Sequence, residues 1–149
     1  MELPDSHGFD MVMVVVDSVT KRPHFMATNT TVLAEGAACL YYWDMWKLHS
    51  LPLQWLHDHS SVFIAGSMHE LNCLLGIKNT TSTVYHPQTD GQTECVNQAY
   101  IRMFCNHHQN KWDELLPSAE FVAAKHVHLS TQVTPFVADT GQNPHMGRE

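Results

Sequence analysis

The chain has 149 residues, the size of one ordinary domain, and at 44% hydrophobic it has enough apolar material to bury a core. Only 15% of it is charged and the net charge is −7, which argues against the basic surface of a free-standing nucleic-acid binder. The composition also excludes a disordered, collagen-like or disulfide-dense chain, and its twelve histidines can add positive charge only below neutral pH.

No apolar run comes near the roughly 20 residues of a membrane span, and Met11 to Val16 is the length of a strand, so no membrane partner is expected. The opening residues Met1-Glu2-Leu3-Pro4-Asp5-Ser6 have neither the basic nor the apolar part of a signal peptide. Cys39, Cys73, Cys95 and Cys105 form no CxxC pair and read as reduced intracellular thiols used mostly for packing.

In chain order, Met11 to Val16 predicts a strand buried on both faces. Asp17 to Lys21 predicts a turn, and His24 to Ala27 a second strand that closes a hairpin. A helix comes next, capped by Thr30 or Thr31 and running to about Leu48, where Ser50-Leu51-Pro52 breaks it. Leu53 to Leu56 predicts a short strand ending at His57-Asp58-His59. Ser67 to Leu75 predicts a helix closed by Gly76, and Ile77 to Thr83 a further strand. Tyr85 to Gln92 has loop chemistry. Helices are expected from Thr93 to His108, from Trp112 to about His126 with Pro117 as a kink or boundary, and from Pro135 to Asp139 before a Gly/Pro-rich tail. The whole reads as one α/β domain, with a core to about residue 132 and a short helix and tail after it.

Two acids stand where α/β sites form: Asp58 at the end of a predicted strand and Glu94 at the start of a predicted helix, with 35 residues between them. Two carboxylates brought together can hold divalent cations through hard oxygens, and such ions serve phosphoryl transfer. By spacing alone the pair is weak evidence, and surface carboxylates account for it better. His57 and His59 alternate with Asp58, so on a strand they face the other way and read as solvent or packing residues. His69 with Cys73 and Cys105 with His108 have helical spacing, but a zinc site needs four converging ligands. Tyr41, Tyr42, Trp43 and Trp46 read as helix packing rather than base stacking, and Met11, Met13 and Met45 as core. Lys21, Arg22, Lys78, Arg102 and Lys111 are too scattered to form a phosphate-binding patch.

The local words narrow this. Trp55-Leu56-His57-Asp58-His59-Ser60-Ser61-Val62-Phe63, Leu74-Leu75-Gly76-Ile77-Lys78 and Ser82 to Gln98, with His86-Pro87-Gln88-Thr89-Asp90-Gly91-Gln92-Thr93-Glu94 at its centre, closely resemble the integrase catalytic core of Ty3/gypsy-type LTR retrotransposons. Val14 to Lys21, His24-Phe25, Trp112 to Pro117, Ala119-Glu120-Phe121, Ser130-Thr131 and Thr134-Pro135-Phe136 continue the resemblance over nearly the whole chain. It implies an RNase H-like mixed sheet flanked by helices, and three acids in a D,D-35-E set that bind Mg²⁺ or Mn²⁺. The implied reaction is DNA end processing and strand transfer, with DNA as partner, a homo-oligomer as a possible assembly and a nuclear location for a functional protein. Asp58 matches the second acid and Glu94 the third. Tyr85, His86, Gln88, Gly91 and Gln92 match the DNA-facing loop, and Asn97 lies about one helical turn beyond Glu94.

The departures bear on activity. The family's first acid lies on a central strand upstream of the segment matching Glu2-Leu3-Pro4, so this chain is expected to lack that strand and one metal ligand, leaving neighbouring edges open. Asp17 matches a position after the second strand, not the metal site. His59-Ser60 replace the usual Arg-Gly, Cys95 replaces Arg, and Val122-Ala123-Ala124 replace Tyr-Asn-Asn. The helix around Gln98-Ala99-Tyr100 is about three residues short, which rotates the remainder of that helix by roughly 60°. The family's N-terminal zinc-binding and C-terminal DNA-binding regions are not matched. The reading is therefore an integrase-core fragment, inactive on its own. The alternative is a non-catalytic interaction module or relic, in which an open sheet edge accepts a partner strand.

Overall fold

The structure is a computed structural model that describes residues 2–51, 61–76, 99–103, 110–145 and 147. It is a mixed α/β chain whose residues gather into two compact units, Met1–Thr30 with Asp90–Glu149, and Thr31–Thr89.

The first unit is built on an antiparallel sheet of order β1-β2-β3, with strands Glu2–Ser6, Phe9–Val16 and Pro23–Thr28. The hairpin expected from Met11 to Ala27 is present, and β2 begins two residues earlier than its apolar run. Six consecutive pairs, from Met11 opposite Thr28 to Val16 opposite Pro23, fix its register. The expected turn is also there. The Asp17 carboxylate accepts the Thr20 amide at 2.7 Å and the Thr20 hydroxyl at 2.6 Å, and Lys21 closes the turn at φ 62°.

Two features of the sheet differ from the sequence reading. The strand β1 was not expected, because Leu3-Pro4-Asp5 has no alternation and contains a proline. It forms as an edge strand, where proline is tolerated, through a tight turn in which His7 (φ 52°) and Gly8 (φ 89°) both take left-handed backbone. The second difference is burial. Val14 in β2 is 38% exposed, so β2 is not covered on both faces; β3 is the strand whose Pro23, His24, Phe25 and Met26 are all buried in succession.

Helix α5, Trp112–Lys125, packs on β3. Its buried residues Trp112, Leu116, Ala119 and Ala123 recur at helical spacing and meet Val12, Phe25 and Ile101 in one core. Ile101 belongs to a helical stretch at residues 99–103 (α4). Pro117 is not a boundary of the element: it lies on the exposed side and α5 runs through it, although proline supplies no amide to the preceding turn. Helix α6, Pro135–Thr140, is capped by Thr134, whose hydroxyl accepts the Val137 amide, and is closed by Gly141.

In the second unit, helix α1, Ala34–Leu40, continues into a π-helical turn, Tyr41–Trp46, and then α2, Lys47–His49. The break expected at Ser50-Leu51 falls there, with Ser50 at φ 61°. The expected cap is absent. Leu33 occupies the N-cap with no side-chain bond, because the Asp10 carboxylate takes the Thr30 amide at 2.6 Å and its hydroxyl at 2.9 Å. Helix α3, Ser61–Leu74, starts six residues before the predicted Ser67 and packs on α1. Gly66 sits at that contact, where a Cβ would lie 3.0 Å from the Ala34 Cβ. Gly76 ends the helix at φ 68°, as expected, its amide bonding to the Cys73 carbonyl.

Among the described residues Trp112 is the largest side chain with no exposed surface, and its indole N–H donates to the Pro4 carbonyl at 2.6 Å. Trp112→Phe, which keeps most of the volume and leaves that carbonyl unpaired, is expected to cost about 1–2 kcal/mol, and Trp112→Ala about 3–5 kcal/mol. Urea unfolding checks both.

Candidate functional site

The residues assigned to the site from sequence, Asp58, Tyr85, His86, Gln88, Gly91, Gln92, Glu94 and Asn97, lie outside the described residues, as do His57, His59, Cys95, Cys105, His108 and Lys78. In sequence, Asp58 comes three residues before α3 begins and Glu94 five residues before the α4 stretch. Among the described residues no group of three or more His, Cys, Asp or Glu is placed to hold a metal ion.

The described polar chemistry of the first unit is concentrated where α5 meets the sheet. At its N-terminal turn, Asp113 accepts from the Ser6 hydroxyl and, at 3.0 and 3.1 Å, from His7 Nδ1. Glu114 stands 3.9 Å from the same imidazole. Two acids in the first turn also complement the helix dipole. Two turns further on, Glu120 reaches β3: Oε1 accepts from His24 Nδ1 and Oε2 from the Phe25 amide, both at 3.0 Å. His24 is almost fully buried, while a quarter of the Glu120 side chain is exposed.

The charges of these acids are set by competing effects. Burial pushes the Glu120 carboxyl up. The hydrogen bonds from His24 and the Phe25 amide, with the charges of His24 and Arg22, outweigh it and hold the carboxyl below the usual range. At Asp113 burial likewise raises the carboxyl, and the bonds from Ser6 and His7 with the His7 charge bring it below its ordinary value. Burial also raises the Tyr100 hydroxyl.

The reading of Asp17 as a turn residue holds, while those of Arg22, the aromatic run and two methionines change. Asp17 is committed to its turn through Thr20, so its carboxylate is structural. Arg22 pairs with Asp139 and lies over the Phe136 ring, 5.4 Å from its centroid, so it is not a phosphate contact. The aromatic run splits: Tyr41 and Met45 are buried, but Trp43 is 68% exposed, with Tyr42 edge-on to Trp43 and stacked on Trp46. Met11 and Met13 are only half-buried. Sequence reasoning also passed over the Glu120–His24 pair. A polar residue inside the β3 run, with an acid in the apolar stripe of a later helix, was its signal.

The carboxyl of Glu120 is depressed in the folded chain, so its contribution to stability is complete above the ordinary glutamate range and is lost as pH falls through the depressed value. Asp113 acts with the same sign. Thermal unfolding is expected to give a midpoint that drops as pH is lowered below about 4.5. Glu120→Gln is expected to lower the midpoint at neutral pH and to flatten that acid slope, and Glu120→Ala to cost about 2–4 kcal/mol by stranding the His24 and Phe25 donors.

No family model matches the chain. It is similar to the Transposon Tf2-3 polyprotein and the Transposon Tf2-4 polyprotein of Schizosaccharomyces pombe, at 28% identity over 137 residues in each case. These matches cover 90% of this chain and 10% of either relative, so the chain spans about a tenth of the length of the curated relatives it matches.

Proposed function

We propose that this chain is a retrotransposon-derived integrase core segment with an RNase H-like fold, whose ancestral reaction is divalent-metal-dependent DNA end processing and strand transfer. The observation that carries the reading is similarity to transposon polyproteins along nine-tenths of the chain, joined to the word His86 to Glu94 inside it.

Asp58 and Glu94 are the proposed metal ligands. Their chemistry suits Mg²⁺ or Mn²⁺, because both offer hard carboxylate oxygens. Asp17 does not join them, its carboxylate being spent on Thr20. When bound, such ions supply charge stabilisation and activation of the attacking hydroxyl in phosphoryl transfer. The chain's own residues supply the rest: Tyr85, His86, Gln88, Gly91, Gln92 and Asn97 engage the DNA, and Asp58 and Glu94 orient the reacting phosphate.

Water proton relaxation with Mn²⁺ tests the assignment. Asp58→Asn and Glu94→Gln are each expected to weaken Mn²⁺ binding about tenfold, a loss of about 1.4 kcal/mol. Asp17→Ala is expected to leave it unchanged while lowering stability by about 1 kcal/mol. Photocrosslinking from residues 85–92 to duplex DNA is the accompanying expectation. Equal Mn²⁺ affinity in the wild type and both carboxylate variants contradicts the assignment.

The alternative of strand addition at a sheet edge gains no support at β3, where the Phe25 amide already donates to Glu120.

A further inference from the structure

Among the described residues of the second unit, the largest exposed side chains sit on one π-helical turn, Tyr41–Trp46, where Trp43 is 68% exposed and Trp46 39%. Tyr42 ties them together. Its ring stacks on Trp46 at 5.3 Å and 9°, and meets Trp43 edge-on at 5.3 Å and 84°. Tyr41 and Met45 of the same turn are buried, which anchors it while the other three rings stay on display. The ring–ring contacts hold those rings in place before any partner arrives, so docking on them costs little side-chain entropy. Exposed apolar clusters mark contact surfaces, and π-helical turns recur at functional sites.

Charge selects the occupant. Between His24 and Lys47 the sequence carries Glu35 and Asp44 and no Lys, Arg or His. Asp44 lies in the aromatic turn itself, and α3, which packs on α1, adds Glu70 without Lys or Arg. Ring faces carry negative potential, so the aromatics and the acid attract the same kind of group, a cation. A nucleic acid would bring phosphates against Asp44, and a second copy of this chain would bring a net charge of −7. The first unit uses the matching chemistry within its own fold: the Arg22 guanidinium lies over Phe136 and pairs with Asp139. Indole accepts a cation better than phenyl does, and a guanidinium both stacks on a ring and forks to a carboxylate.

We propose that Tyr42, Trp43, Asp44 and Trp46 form a docking site for an arginine-bearing basic segment of a protein partner. A guanidinium lies on an indole face of the cluster and Asp44 supplies the opposing charge. The site serves recognition, and its chemistry is separate from that of the carboxylates of Asp58 and Glu94.

Titration of the full chain with an Arg-Gly repeat peptide, read by the indole N–H signals in NMR, tests the proposal. The Trp43 and Trp46 signals are expected to shift and saturate. The Trp112 signal, from a buried indole bonded to Pro4, is expected to stay fixed and so reports that each variant is folded. The same peptide with citrulline, a neutral isostere, in place of arginine is expected to bind about tenfold more weakly, and so is the Arg peptide to Trp43→Leu. Asp44→Asn is expected to weaken binding about threefold, and Lys47→Gln not to weaken it. Unmoved Trp43 and Trp46 signals, equal binding of the citrulline peptide, or unchanged affinity in Trp43→Leu overturns the proposal. A single-stranded oligonucleotide that shifts both indoles at lower concentration than the Arg peptide also overturns it. None of these results depends on the carboxylate assignment.

Discussion

Within the first unit, everything depends on how one helix is fastened across a three-stranded sheet. Hydrophobic contact between α5 and the sheet is non-directional and leaves the helix free to slide. Directional bonds remove that freedom. Trp112 donates to the backbone of β1, Asp113 holds the turn between β1 and β2, and Glu120 holds β3. The three attachments run from one edge of the sheet to the other, so they fix both the position and the rotation of α5. Glu120 contributes most to this. Its carboxylate satisfies a backbone donor at the strand edge and a buried imidazole together, two groups that are costly to strand without partners.

The same principle decides where the cations go. Arg22 reads from sequence as one of the few residues able to meet a phosphate. In the folded chain its charge is met by Asp139 and its guanidinium lies over Phe136, so it docks α6 rather than a ligand. With that residue committed and a net charge of −7, attraction to DNA in the proposed function rests on the loop from Tyr85 to Gln92 and on metal-neutralised carboxylates, not on a general basic surface.

Much of the fold was legible wherever local pattern and tertiary context agree. The Asp17 turn announces itself through its carboxylate and the stripe of α5 through a period that is also the period of its burial, whereas the run Met11–Val16 marks a strand but not its one-sided burial. The failures share a cause: a distant partner overrides the local signal. Thr30 is a good cap in isolation, but Asp10 captures it. Gly66 weakens the start of α3 on propensity, yet its missing Cβ is what lets Ala34 approach. The strand β1 contains a proline and pairs only because His7 and Gly8 accept left-handed backbone. The π-helical turn had no signal beyond a crowd of aromatics. For the candidate site, motif words carried the assignment of Asp58 and Glu94, whereas the pairing of Glu120 with His24 required coordinates.

The central claim is that the carboxylates of residues 58 and 94, distant along the chain, serve one divalent cation. Anomalous scattering from a crystal of the chain soaked in Mn²⁺ tests it most directly. The account predicts a manganese peak within bonding distance of both carboxylates. A peak bound to either acid without the other, or the two side chains resolved on separate faces of the molecule, would contradict it.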